Sequence, residues 1–290
     1  MEEKAIILNL KTKIINVVYW ITTVAIGWEL IFGGLWDINV LNKGYVQNIM
    51  DHLGYPAYFP FIFGIAKFLA AIVILAPGFR RLKEWAYAGI FFVFTGAAFS
   101  HLFVHEADKA IQGLIFAAIP LISWALRPVS RRLTRDEFLA SLSPESIRNE
   151  KHIKQKRITY WICVSILGLG AVSGGLSNFF HASNTREIVK ELGYPMFFFT
   201  ILGAWKVLGS VAIFFPRFPR LQEWAYAGLM IDLVGASTSY ICVGKISGMF
   251  PPLISAIVGI IAWKLRPFAK SNQLATQDNA EPKFTSQLSS

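Results

Sequence analysis

This sequence predicts an all-α integral membrane protein: eight transmembrane helices arranged as two parallel-repeat four-helix bundles. Three observations carry that prediction. Of 290 residues, 54% are apolar and 16% charged, against roughly 25% charged in an average soluble protein. The apolar residues fall in blocks of about 17–23, close to what a helix needs to cross about 30 Å of hydrocarbon. Finally, the chain repeats itself. Leu82-Lys83-Glu84-Trp85-Ala86-Tyr87-Ala88-Gly89 returns 139 residues later as Leu221-Gln222-Glu223-Trp224-Ala225-Tyr226-Ala227-Gly228. The same offset carries Leu53-Gly54-Tyr55-Pro56 onto Leu192-Gly193-Tyr194-Pro195, Lys67 onto Lys206, and Trp124-x-x-Arg127-Pro128 onto Trp263-x-x-Arg266-Pro267. The chain is a tandem duplication and is read repeat by repeat.

The first repeat takes residues 1–126, a basic linker 127–157, the second repeat 158–267 and a polar tail 268–290. After a polar start, the first span covers about Ile14 to Leu35. It lacks a small-residue cleavage site, and its Tyr19-Trp20 and Gly33-Gly34 recur internally as Tyr160-Trp161 and Gly174-Gly175. It is therefore a retained helix and not a signal peptide. A loop of about twenty residues leads to Pro56, which reads as a helix-entry residue. The second span covers about Ala57 to Ala76 and stops at Pro77-Gly78. A short basic turn returns the chain into a third span, about Trp85 to Val104. A tight turn, His105 to Lys109, opens a fourth, about Ala110 to Leu126, in which Pro120 predicts a kink. Spans of the second repeat fall near 158–180, 196–215, 224–243 and 250–265. In the linker, Thr134-Arg135-Asp136-Glu137 reads as a capping box and Ser143-Pro144 as a helix start. Leu133, Phe138 and Leu142 offer it an apolar stripe for lying on a membrane surface, though a solvated connector fits as well. The tail lacks periodicity and is expected to be disordered.

Orientation follows from the basic residues. Of 28 Lys and Arg, 21 lie in the amino-terminal segment, the turns near 77–84 and 216–223, the linker, and from Lys264 into the tail; five lie in the opposite loops. This asymmetry puts both termini in the cytoplasm, within the cell (inner) membrane, with the lipid bilayer as the partner. Four spans per repeat make both repeats point the same way. The net charge of +10 does not indicate nucleic acid, because the basic residues cluster at span ends instead of interleaving with aromatics. Cys163 and Cys242 are too few for a disulfide framework and lie at different depths.

Charged residues inside spans each need a reason, since one at the bilayer centre costs roughly 2.5–3.5 kcal/mol on insertion scales. Lys67 and Lys206 both lie about 15 Å below the outer face by helical rise. Gly64, Lys67 and Ala71 share a helix face, as do Gly203, Lys206 and Ser210, so both lysines should point into the bundle. Asp232 matches Lys206 in depth. In the first repeat Val93 replaces that aspartate, and Glu29 is the nearest candidate for Lys67. Gly170 stands at the position of Glu29 in the second repeat, so the halves are not equivalent. A buried ion pair fixing helix register and a proton- or anion-handling lysine both fit.

His101 and His105, four apart, allow metal or haem ligation, but Tyr240 and Gly244 stand there in the second repeat. That spacing is weak evidence, so no metal site is assigned and haem is disfavoured. A proton relay or quinone contact at His101 fits better, because a neutral imidazole can both donate and accept. Glu84 and Glu223 suit the positive ends of their helices. Trp85, Tyr87, Trp224 and Tyr226 suit an interfacial aromatic belt, with a contact between repeats as the alternative. There is no Walker loop, dinucleotide fingerprint, His-Glu-x-x-His or Gly-x-Ser-x-Gly. Nothing assigns a reaction to the chain alone.

The string Leu53–Pro56, Gly64–Lys67, Pro77–Gly89, Gly96–His101 and Trp124–Pro128 resembles the DoxX-like family of small four-helix membrane proteins. The resemblance covers nearly all of both repeats, and Tyr240 in place of His101 is the second repeat's main departure from it. The wider family takes its name from a membrane subunit of a thiosulfate:quinone oxidoreductase. The resemblance thus implies a membrane subunit linked to redox chemistry, touching a quinone between the helices that carry Lys67 and His101 and serving a redox partner protein. Two other classes stay open: a small-molecule carrier with a site between the repeats, and a non-catalytic membrane scaffold.

Overall fold

The computed structural model describes residues 2–132, 150–215 and 219–280, and all regular structure among them is helical. In the first repeat α1 covers Glu2–Asp37, α2 Tyr45–Leu53, α3 Phe59–Leu75, α4 Arg80–Phe103 and α5 Ala107–Leu126, followed by a 3-10 turn at Val129–Arg131. In the second, α6 covers Glu150–Phe179, α7 Ser183–Leu192, α8 Met196–Phe214, α9 Pro219–Cys242 and α10 Ile246–Ala280.

The long helices of each repeat close into the same ring. α1 packs on α3, α3 on α4, α4 on α5 and α5 back on α1; α6, α8, α9 and α10 repeat that order. Within each ring the first two long helices cross at glycines. A Cβ on Gly64 would stand 3.0 Å from the carbonyl oxygen of Gly34, and one on Gly175 3.0 Å from that of Gly203. Only residues without side chains let the backbones approach this closely, which is the packing that small residues provide in membranes.

Among the described residues, six helical segments are long and apolar enough to cross a bilayer: Ile6–Asp37, Arg80–Phe103, Ala107–Leu126, Lys154–Phe179, Met196–Phe214 and Ile246–Arg266. Two of the expected eight do not meet that standard. α3 is apolar but has 17 residues. In α9, Asp232 and a run of small polar residues dilute the apolar content. Both helices still present an exposed apolar face, Phe61, Ile65, Leu69 and Ile72 on α3 and Ile231, Val234 and Ile241 on α9.

Two expectations are corrected here. The loop before Gly54 contains α2, and its counterpart contains α7. Leu53 and Leu192 anchor these short helices in a shared core with Tyr55, Phe59, Tyr194 and Phe199. The tail does not become irregular at residue 268, because α10 continues to Ala280. α5 continues on both sides of Pro120, since a ring of packed neighbours can absorb a missing backbone donor. The capping box and helix start of the linker, with Leu133, Phe138 and Leu142, lie outside the described residues.

The two rings meet along α4 and α9. At one end of this seam, Gly54 and Gly193 cap α2 and α7 with φ of 74°. That left-handed conformation favours glycine. Each glycine turns the chain so that it faces the other repeat's proline: Cβ atoms built on Gly54 and Gly193 would sit 3.8 and 3.7 Å from Pro195 and Pro56. The Leu-Gly-Tyr-Pro motif is therefore a joint between the repeats. Tyr55 and Tyr194 stack edge to face across it, and their hydroxyls pair with Ser100 (2.8 Å) and Ser239 (2.7 Å).

Candidate functional site

The intramembrane lysines lie beside the glycine crossings, and their partners differ between repeats. Lys67 Nζ is 2.7 Å from Asp37 Oδ2, with both side chains largely enclosed. Asp37, and not Glu29, is thus the ion-pair partner. The expectation ended the first span at Leu35, but α1 continues to Asp37, and a lysine side chain reaches several ångströms along its helix. Glu29 flanks the pair: its Oε1 and Lys67 Nζ each lie 3.2 Å from the point where a Gly33 Cβ would sit. One ammonium in the first repeat is therefore surrounded by two carboxylates.

In the second repeat Lys206 Nζ pairs with Asp232 Oδ2 at 3.2 Å. The first long helix is offset by 141 between repeats (Tyr19 to Tyr160), so Asn178 stands where Asp37 does, and Gly170 where Glu29 does. The Asn178 amide fits its neighbours with its oxygen toward Lys206 Nζ at 3.2 Å and its nitrogen toward Thr185 Oγ1 at 3.2 Å. The carboxylate has thus moved from the first long helix of the ring to the third, with the lysine fixed. Lys206, Asp232 and Asn178 together are neutral, whereas Lys67, Asp37 and Glu29 carry one excess carboxylate.

The repeated Glu-Trp-Ala-Tyr-Ala-Gly stretch forms a second polar layer, at the seam. Arg127 binds Glu84 Oε1 at 2.7 Å, and Trp124 Nε1 donates to Glu84 Oε2 at 2.6 Å. Trp224, from the other repeat, donates to that same Oε2 at 3.3 Å. The second repeat mirrors this. Arg266 pairs with Glu223 Oε1, Trp263 donates to Oε2 at 2.8 Å, and Trp85 reaches the same atom from the first repeat at 3.2 Å. Each repeat lends a tryptophan to the other's glutamate. Glu84 and Glu223 are each 1% exposed, and Tyr87 and Tyr226 are fully buried. The aromatic-belt and helix-end readings of these residues are therefore corrected in favour of a contact between repeats. α4 starts at Arg80, so Glu84 already lies in its second turn, where Arg127 rather than the helix dipole offsets its burial.

The histidines give a third constellation, on the side where α4 ends. His101 Nδ1 lies 2.7 Å from Glu106 Oε2, while His52 Nε2 and Lys109 Nζ approach Oε1 at 3.2 and 2.6 Å. His101 and His105 do not share a helix face: α4 ends at Phe103, and His105 has φ of 63° beyond it. The backbone turns there, so the i, i+4 geometry is lost. Among the described residues, no group of three or more His, Cys, Asp or Glu could hold a metal ion. Hydrogen bonds from Lys109 and His101 hold the half-buried Glu106 carboxyl at about 2, so it stays ionised at every physiological pH. His101 and Lys67 have separate partners, Glu106 and Asp37.

A profile of the DoxX-like family matches residues 21–123 and again residues 162–263. The chain belongs to the DoxX-like family. The two matches within one chain confirm the tandem duplication. No curated protein and no solved structure matches it.

In this DoxX-like protein, sequence reasoning missed Asp37, Asn178, Trp124, Trp263, Arg127 and Arg266 as partners. The signal for the last four was present: Trp-x-x-Arg-Pro recurs at the same offset as Glu-Trp. Two motifs that recur together at a fixed separation are candidates for contact. Asp37 sat outside the assumed span and so drew no attention. One hollow, lined by Arg157, Trp161, Ser165 and Ile166 among others, lies wholly on α6 and away from both lysines.

Proposed function

We propose that this DoxX-like protein is a subunit that crosses the membrane eight times, with both termini and the linker on the cytoplasmic side. In this reading the first repeat exchanges protons with a quinone-class lipid on behalf of a membrane redox partner. The observation that carries it is the excess carboxylate around Lys67. Asp37 already neutralises the ammonium, so Glu29 is available to take up and release a proton next to the lipid. In the second repeat Gly170 replaces Glu29, and the centre is a closed, neutral pair that serves helix register. The quinone contact is accordingly placed at α1 and α3, and no longer at His101.

The residues beside Glu29 suit a ring-bearing ligand. Trp28 and Phe32 stack with ring centres 4.0 Å apart, and Trp28 is 64% exposed on the outer face of α1. A quinone, when bound, supplies two-electron, two-proton chemistry; Trp28 and Phe32 would hold its ring. The protein's part is to hold a proton at Glu29 and to keep Lys67 fixed through Asp37. Intramembrane carboxylates facing such pathways are where proton relays are found.

Quenching of tryptophan fluorescence by a short-chain ubiquinone analogue tests this in purified protein. Saturable quenching should be present in the wild type and about tenfold weaker in Trp28→Leu, and it should become independent of pH in Glu29→Gln. Absence of saturable quenching, together with no redox partner on pull-down from native membranes, would remove the reading.

A further inference from the structure

On the side where α4 and α9 begin, the seam ends in arginines that its ion pairs do not use. Arg81 lies in the first turn of α4, half-buried, with its guanidinium carbon 5.9 Å from the ring centre of Trp263 in the other repeat. Arg220 repeats this from α9, 5.8 Å over Trp124. Arg132, just beyond α5, is anchored by backbone carbonyls: its guanidinium donates to Ala125 O at 3.0 Å and to Arg127 O. Burial, then the nearby Arg220 and Arg127, push its ionisation downward, so residues of the two repeats crowd one another here.

The seam glutamates are already taken by Arg127 and Arg266. Among the described residues, no carboxylate pairs with Arg81, Arg132 or Arg220. Neither α4 nor α9 has an acidic residue in its first turn, so the positive ends of two helices add to the same field. Cations crowded this way repel one another unless an anion sits among them. The surroundings say what kind of anion. Leu82 and Leu221, adjacent to the two seam arginines, are 49% and 51% exposed, and the site opens where apolar helices emerge from the bilayer. A free anion has no use for that apolar rim, whereas a lipid has a charged head and acyl chains to match both parts.

We propose that Arg132 and Arg220 bind the phosphate headgroup of an anionic lipid at the junction of the two repeats, with Trp124 as the floor. The lipid neutralises the crowded cations and links the repeats where their helices start. Clusters of basic residues between membrane helices are suited to such headgroups.

The test uses the full-length protein in neutral detergent, titrated with phosphatidylglycerol, phosphatidylcholine or sn-glycerol 3-phosphate and followed by thermal unfolding. Phosphatidylglycerol should raise the melting temperature, phosphatidylcholine should not, and 0.5 M salt should weaken the effect. Arg132→Gln with Arg220→Gln should weaken the apparent affinity about 30-fold, as expected for two basic residues near an anionic headgroup. Arg132→Lys with Arg220→Lys should keep most of it, which separates lost binding from damaged folding. Equal responses to the two phospholipids would overturn the proposal, as would an undiminished response in the glutamine variant. A rise of the same size with glycerol phosphate would overturn the lipid assignment in favour of a soluble anion.

Discussion

Glu84 shows how much a single residue of the repeated motif carries. It accepts from Arg127, from Trp124 of its own repeat and from Trp224 of the other, and it has almost no contact with solvent. Replacing one partner of such a pair leaves the other charge buried without compensation, at a cost of about 3–5 kcal/mol. Glu84→Gln should therefore melt well below the wild type in detergent, since Arg127 loses its counter-charge. Glu84→Gln combined with Arg127→Met should recover a good part of the loss, because no lone charge is then left inside. Equal destabilisation in the single and double variants would show that the tryptophan contacts, and not the charge pair, dominate. At the same scale, Lys83 caps the end of α3 by donating to the carbonyls of Val73 and Gly78, each at 2.8 Å. Gln222 takes up that position with one bond to Ile213 O at 2.8 Å. An ammonium with three donors can be traded for an amide where one carbonyl is enough.

Helices, not single residues, decide where each lysine finds its carboxylate. In the first ring it comes from α1, the first long helix, through Asp37; in the second it comes from α9, the third, through Asp232. Because both rings share one packing order, the second arrangement can be transplanted onto the first. Asp37→Asn should destabilise the protein by about 2 kcal/mol, less than a fully buried break, because Glu29 remains near Lys67. Adding Val93→Asp, at the position of Asp232, should restore at least half of that in thermal unfolding. If the double variant is no more stable than the single, the two rings are not superimposable at lysine depth. α2 and α7 illustrate the same scale differently. They are nine and ten residues long, too short to hold themselves as isolated helices, and they persist because their last leucines reach the core shared by both repeats.

For the molecule as a whole, the two rings form an internal dimer around α4 and α9, joined by reciprocal tryptophan donation at one level and by the paired Leu-Gly-Tyr-Pro turns at another. An eight-span topology places Ser130 and Ser183, both exposed, on opposite sides of the membrane. With Cys163 and Cys242 replaced by serine, Ser183→Cys should react with an impermeant maleimide on intact cells, and Ser130→Cys only after permeabilisation. Equal labelling of the two before permeabilisation would refute that topology and, with it, the assignment of both termini to the cytoplasm.

Periodicity, block length and the fixed repeat offset were sufficient to read the helical class, the membrane setting, the duplication and the inward-facing lysines, because lipid permits few backbone structures and punishes every charge that faces it. Asp232 was legible for the same reason: a lone carboxylate in an apolar block must find a cation at its own depth. The partner of Lys67 was not legible, since it depended on α1 running two residues past its apolar end and on a side chain reaching toward it. The role of Glu84 and Trp224 was hidden for a different reason. Their contact joins residues 140 apart in number, and local sequence carries no record of which face of one bundle will meet which face of another; that is settled by shape and by the pairing of buried polar groups once both bundles have formed.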